Sequence, residues 1–91
     1  SSDVCSSDLE KQLSPTHFEF SARLEIDYIN ETYSLELPKD ENYETLGGLI
    51  VFYTEEIPKK GLVLNLDKYQ IEVSQVSSTK IERVSLSIIN E

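Results

Sequence analysis

Apolar residues in the middle of the chain recur at the spacing of an amphipathic helix. Four of them fall at i, i+3, i+4 and i+7, so they share one helix face that a core can bury. These residues are Leu46, Leu49, Ile50 and Tyr53. Thr45 or Glu44 suits the start of the helix, and Pro58 and Gly61 end the pattern. We therefore predict one well-defined helix in this segment.

A short strand and a second helix are predicted before it. His17–Ser21 alternates, which places Phe18 and Phe20 on one face of a strand. Ser21 is the predicted N-cap of a helix over residues 22–33, whose apolar positions fall at i, i+3 and i+7. This buried stripe consists of Ile26, Ile29 and Tyr33.

Three alternating segments close the chain, over residues 62–66, 69–76 and 80–89, and predict an antiparallel meander. A change of parity between Ile81 and Val84 predicts a β-bulge near Glu82 and Arg83. The predicted fold is α+β, with two helices packed on a small, mainly antiparallel sheet in the order β-α-α-β-β-β. The predicted core residues are Leu49, Ile50, Tyr53, Ile71, Val73 and Val84.

The chain has 91 residues, which allows a single domain. Residues 3–9 match the translation of a common sequencing adapter, so we expect a non-native leader over residues 1–9. The absence of methionine agrees with a missing upstream region. Residues 10–16 are polar and contain Ser14-Pro15, which predicts a mobile linker. The domain itself is expected over residues 17–91.

Charge and composition exclude several classes of function. Seventeen acidic residues against eight basic ones give a net charge of -9, which disfavours nucleic acid and anionic membrane surfaces as partners. No apolar stretch approaches the roughly 20 residues that cross a bilayer, so we expect no membrane insertion by this segment. With Cys5 as the only cysteine and His17 as the only histidine, we predict no metal site, no catalytic residue and no enzymatic activity.

Gly47 and Gly48 lie in the first turn of the predicted central helix, although each glycine costs about 1 kcal/mol there relative to alanine. Close approach of the helix backbone to the sheet or to the first helix would explain them. The alternative is a backbone cradle for phosphate, which requires a glycine-rich loop and a nearby lysine or arginine. Neither is adjacent in the sequence. The two glycines are the only candidate cofactor-binding residues.

Several short motifs occur in one order along the chain. They are Leu35-Glu36-Leu37-Pro38, Tyr43-Glu44-Thr45-Leu46-Gly47-Gly48-Leu49, Ile57-Pro58-Lys59-Lys60-Gly61, Tyr69-Gln70-Ile71-Glu72-Val73 and Lys80-Ile81-Glu82-Arg83-Val84. Over residues 18–88 the chain resembles the CorC/HlyC-type transporter-associated domain, which has similar motifs in this order. It departs from that family at Ser77-Ser78, where an Asp-Gly turn is common, and in a less basic final strand.

The resemblance implies a non-catalytic regulatory or interaction domain of a magnesium or cobalt efflux transporter. In that family the domain follows a pair of CBS domains and a CNNM-like transmembrane domain of the same chain. These are the implied partners, together with a second copy in a homodimer, and the implied location is the cytoplasmic face of the inner membrane. The family fold is similar to a subdomain of flavin-binding oxidoreductases. Binding of flavin (FAD) or an adenine nucleotide at Gly47 and Gly48 is therefore the alternative, and no cofactor is expected otherwise.

Overall fold

The computed structural model describes residues 9–78 and 80–89. Within them the chain forms two helices and five strands: β1 Glu10–Ser14, β2 His17–Ser21, α1 Ile26–Tyr33, α2 Leu46–Thr54, β3 Val63–Asn65, β4 Tyr69–Ser77 and β5 Lys80–Ile88. The strands pair antiparallel throughout, in the order β1-β2-β5-β4-β3. The predicted α+β class is confirmed. The predicted leader lies outside the described residues except for Leu9.

Both helices cover one face of the sheet, and the core lies between them and the strands. Alternate residues of β2, β4 and β5 point into it, as the alternation predicts. The fully buried side chains are Phe20, Ile26, Ile29, Leu46, Leu49, Ile50, Ile71, Val73, Val84 and Leu86. Five of the six predicted core residues are in this set.

Tyr53 is the exception, because its side chain is 44% exposed. The last turn of α2 lies towards β3, an edge strand of only three residues. The Tyr53 ring packs instead against Tyr43 of the preceding loop, with ring centroids 6.5 Å apart. Its place in the core was wrongly predicted because helical spacing identifies a face but not how far the sheet extends beneath it.

Residues 10–14 form the edge strand β1, so the prediction of a mobile linker over residues 10–16 was wrong there. The strand pairs with β2, and Lys11 lies opposite Glu19. The Glu10 carboxylate accepts hydrogen bonds from the hydroxyl groups of Tyr28 at 2.5 Å and Tyr33 at 2.8 Å. The sequence gives little sign of β1 because an edge strand with exposed side chains needs no apolar alternation.

Helix α1 begins at Ile26 rather than at Ala22, and Ser21 is the last residue of β2 rather than a helix cap. The backbone of residues 22–25 bonds to other parts of the chain. The Ala22 amide donates to the Glu82 carbonyl at 3.2 Å, and the Ile26 amide donates to the Glu44 carbonyl at 3.0 Å. These bonds hold residues 22–24 in a turn and a bend, so they do not join the helix.

The predicted bulge is confirmed, and it has a counterpart on the neighbouring strand. Between the pairs Val73 with Val84 and Gln75 with Arg83, β4 holds one extra residue, Ser74. Glu82 is then the extra residue on β5, before Val76 pairs with Ile81. The two bulges together keep the apolar side chains of β5 on the core side despite the change of parity.

Candidate functional site

The amide groups at the start of α2 are already used within the chain. The Leu46 amide donates to the Leu24 carbonyl at 3.0 Å, and the Gly47 amide donates to the Ala22 carbonyl at 2.9 Å. The Gly48 amide donates to the Thr45 hydroxyl at 3.3 Å, which confirms Thr45 as the helix cap. A phosphate at a helix start binds through free amide groups of this kind. These three groups are therefore committed to holding the helix in place.

The two glycines allow other parts of the chain to approach α2 closely. A Cβ at Gly47 would lie 2.9 Å from the Ala22 Cβ and 3.3 Å from the Ala22 carbonyl oxygen. At Gly48 it would lie 3.0 Å from the Tyr43 Cβ. Close approach is thus the role that the structure gives both residues, with the loop segments before α1 and α2 as the neighbours rather than the sheet or α1.

A groove of about 540 Å³ runs beside the start of α2. It is lined by Gly47 and Gly48, by the cationic residues Arg23 and Lys80, and by Glu82 of β5. Sequence reasoning missed these cations because they come from residues far from the glycines along the chain. Binding of a flavin or nucleotide at the glycines stays a prediction. The amide groups of both glycines donate within the chain, which argues against a phosphate cradle there.

Three successive apolar residues of α2 are exposed, although the helix packs on the core. Val51 is 40% exposed, Phe52 43% and Tyr53 44%. The Phe52 ring packs against the buried ring of Tyr43, with centroids 5.2 Å apart, and the Tyr43 hydroxyl donates to the Pro38 carbonyl at 3.2 Å. Tyr53 packs on the same ring, whereas Val51 lines the groove beside the two glycines.

Charged residues of both signs lie around the exposed apolar residues of α2. Val51 lines one groove with Arg23, Lys80 and Glu82, and Tyr53 lines another with Lys68, Glu36 and Asp67. Residues 39–60 contain five acidic residues and three lysines. Burial raises the pKa of Tyr43 to about 12, and the neighbouring Tyr53 and the negative charge of Asp40 add to this effect. The exposed apolar residues of α2 thus lie among acidic and basic side chains.

The other residues considered from the sequence do not assemble into a reactive centre. His17 is half-buried in β2, where it pairs with Ser14 and Ser87. Cys5 lies outside the described residues. Among the described residues, no group of three or more His, Cys, Asp or Glu side chains could hold a metal ion. Neither helix in this part of the chain has the length and hydrophobicity needed to span a bilayer.

Comparison with known proteins gives the class to which this fold and surface belong. The family model described as "Transporter associated domain", CorC/HlyC, matches residues 11–90. The chain therefore belongs to the CorC/HlyC transporter-associated domain family. This family is defined by its association with transporters and is not known as an enzyme family.

Two curated relatives and one solved structure illustrate the relationship. The magnesium and cobalt efflux protein CorC of Escherichia coli K12 is 30% identical over 78 residues, which cover 86% of this chain and 26% of that protein. The polyamine export protein of Haemophilus influenzae is 35% identical over 54 residues, 59% of this chain and 12% of that protein. This chain thus spans only a small part of both relatives.

The solved structure is the CorC/HlyC domain of a Xylella fastidiosa hemolysin in complex with Mg²⁺ and Mn²⁺. It superposes with a TM-score of 0.77 at 24% identity, covering 90% of this chain and 99% of that one. At this identity the likeness shows a shared fold.

Proposed function

We propose that this chain is a non-catalytic regulatory and interaction domain of a CBS-containing magnesium or cobalt efflux transporter, placed at the cytoplasmic face of the inner membrane. The family match over residues 11–90 is the observation that carries the proposal. The 30% identity with a relative named for magnesium and cobalt efflux supports the choice of cargo. The preceding CBS domains, a CNNM-like transmembrane domain and a second copy are the proposed partners.

The architecture suits a domain that acts by contact. One face of the sheet carries a fully buried core. The start of α2 is fixed by hydrogen bonds from three successive backbone amides, those of residues 46–48. A domain held in this way transmits force as a rigid body when it docks. Its influence on transport would follow from which neighbouring surface it contacts and in which state of the transporter.

A domain exchange in Escherichia coli CorC tests the proposal. Residues 10–89 of this chain replace the matching segment of CorC, and cobalt export is measured beside intact CorC and CorC cut before that segment. We expect the truncated protein to lose normal export and the exchange to restore it. The same exchange carrying Leu49→Asp, which places a charge in the core, should behave like the truncation. Equal export by truncated and intact CorC would refute a regulatory role.

The transported cargo and the alternative function are tested by separate experiments. Because one relative is named for polyamine export, the same strains are tested with spermidine, and a response to spermidine alone would reject magnesium or cobalt as the cargo. Titration of the isolated chain with FAD and with ATP examines the flavin or nucleotide alternative. A saturable fluorescence or heat signal lost in Gly47→Ala would favour that alternative over an interaction domain.

A further inference from the structure

The loop between α2 and β3 carries the most exposed large apolar side chain in the described part of the chain. Ile57 is 70% exposed, whereas the other large apolar residues at the surface are between 37% and 47% exposed. The next residue, Pro58, is buried against the domain. Packing of the loop therefore uses Pro58 and leaves the Ile57 side chain in water.

Charges of opposite sign stand on the two sides of Ile57 along the chain. The pair Glu55-Glu56 precedes it at the end of α2, and the pair Lys59-Lys60 follows it. All four side chains are exposed. None of them belongs to an ion pair within the described residues, although Lys60 lines a pocket together with Glu72. The loop thus presents an apolar side chain between an acidic flank and a basic flank.

The acidic flank is unfavourable for α2 itself. The carbonyl end of a helix carries a partial negative charge, which cations stabilise and anions destabilise. Glu55 is the C-cap of α2, and the last turn of the helix contains no basic residue. Lysine side chains supplied from outside would compensate both the helix end and the two carboxylates. Local folding therefore does not account for Glu55-Glu56, and a contact with another molecule does.

A second copy of this chain carries the complement of the loop. In a two-fold contact, residue i of one molecule meets residue j of the other, and j meets i. When two of these loops cross in opposite directions, Glu55-Glu56 of each copy lies opposite Lys59-Lys60 of the other, with the two Ile57 side chains between them. We propose that residues 55–60 form a self-complementary contact with a second copy of this chain.

Other occupants match this order of charges less completely. A uniformly basic or uniformly acidic polypeptide would be attracted by one flank of the loop and repelled by the other. An anionic membrane surface would attract the lysine pair and repel the acidic pair in the same way. A copy of the loop satisfies both flanks at once.

The inference rests on the proposed function, which includes a second copy as a partner, and it adds the surface that this copy meets. A loop of six residues buries far less than the roughly 1,200 Å² of a stable interface. The contact is therefore weak between isolated domains, and it strengthens where two transporter chains hold their domains close together. The test uses the complete 91-residue chain without a transporter. Its failure would leave the export result of the domain exchange standing, and a failure of the exchange would leave the contact standing.

Disulfide trapping detects a contact of this strength. In a Cys5→Ser background, Ile57→Cys places a thiol at the centre of the loop, and dimers formed under air oxidation are measured on non-reducing gels. Leu13→Cys is the control, because Leu13 is 47% exposed on β1, at the opposite edge of the sheet from β3. Each rate is divided by the rate at which the same thiol reacts with the neutral reagent dithiodipyridine, which corrects for exposure and thiolate fraction.

We expect the corrected rate for Ile57→Cys to exceed that for Leu13→Cys by at least about tenfold, because docking raises the effective concentration of the two thiols. Equal corrected rates would overturn the proposal.

Reversing the acidic flank separates docking from random collision. Glu55→Lys/Glu56→Lys changes the net charge from -9 to -5, since each substitution adds two positive charges. Weaker overall repulsion would then speed random collisions. Docking through the loop predicts the opposite, because lysine pairs would face lysine pairs. We expect the corrected rate for Ile57→Cys to fall to that of the Leu13→Cys control, and a faster rate would reject the contact.

The matched variant is Lys59→Glu/Lys60→Glu, which makes both flanks acidic. Neither variant should cross-link efficiently with itself, whereas an equal mixture of the two, with a tag on one of them, should give the mixed dimer. Exchanging both pairs within one chain keeps the net charge of -9 and should restore the homodimer. Circular dichroism checks the fold of each variant, which the exposure of the four side chains leads us to expect. A mixture that cross-links no faster than its separate components would show that the flanks do not meet.

Discussion

Replacing Gly47 by alanine should destabilise the domain, although alanine is the better helix former by about 1 kcal/mol. The new Cβ would lie 2.9 Å from the Ala22 Cβ, whereas carbon atoms in contact prefer about 3.5 to 4.0 Å. The neighbour cannot turn away, because the Gly47 amide is bonded to the Ala22 carbonyl oxygen at 2.9 Å. Relief requires α2 to shift away from residue 22, which also loosens the packing of Leu46.

The expected change in the free energy of unfolding is the steric cost of the new Cβ minus the gain in helix propensity. Forcing one extra carbon into a close-packed contact costs about 1 to 3 kcal/mol, and the rigidity of this contact places it in the upper part of that range. After the gain of about 1 kcal/mol in helix propensity, we expect a net loss of about 1 to 2 kcal/mol. In a domain of this size each kcal/mol lowers the Tm by roughly 4 to 8 °C.

Urea denaturation of a double-mutant cycle with Ala22→Gly provides the assay. Removing the Ala22 Cβ takes away the closest obstacle, so the destabilisation by Gly47→Ala should be smaller in the Ala22→Gly background, with a coupling of at least about 0.5 kcal/mol. The remaining 3.3 Å contact with the Ala22 carbonyl oxygen keeps the rescue incomplete. A stabilising Gly47→Ala, or additive effects of the two changes, would refute close approach as the reason for the glycine.

Three further outcomes follow from the core, the β1 anchor and the tyrosines. Leu49→Ala should cost about 2 to 5 kcal/mol in urea denaturation because Leu49 is fully buried, whereas Val51→Ala should stay within about 0.5 kcal/mol; similar effects would contradict the orientation of α2. Burial, and then the hydrogen bond to Glu10, raise the pKa of Tyr33 to about 12, so Glu10→Gln should lower this pKa part of the way towards 10.0 in a spectrophotometric titration. Tyr33 and Tyr43 both have a pKa of about 12 in the fold against an ordinary value of 10.0. Their contribution to stability is therefore complete below pH 10 and lost as the pH rises towards 12, and a urea midpoint that stays constant across this interval would contradict it.

The elements that sequence reasoning located well are those whose side chains alternate or repeat over a buried face. β2 and α2 follow this rule, because Phe18, Phe20 and Leu49 recur at the spacing that the core imposes. The bulge near Glu82 was also readable, since a change of parity in a strand that remains buried requires an extra residue.

The features that the sequence did not reveal depend on contacts that leave no apolar pattern. β1 is held by backbone pairing with β2 and by Glu10, neither of which leaves an apolar pattern. Arg23 and Lys80 line one groove only because the start of β5 lies beside the segment that follows β2. At the candidate site, the composition of α2 was visible in the sequence. The buried face of the helix was predicted correctly, but how far along it the core would reach, and so the exposure of Tyr53, depended on the extent of β3.

The position of β5 at the centre of the sheet has a consequence for the order in which the domain assembles. During synthesis the hairpin of β1 with β2, and that of β3 with β4, leave the ribosome before the strand that joins them. Two-stranded hairpins are at best marginally stable in water. Until residues 80–88 emerge, the strand that separates β2 from β4 in the sheet is missing. The apolar side chains of these two strands, such as Phe20 and Ile71, are then accessible to chaperones. Completion of this domain is thus expected to be late and cooperative, with β5 closing both halves in one step.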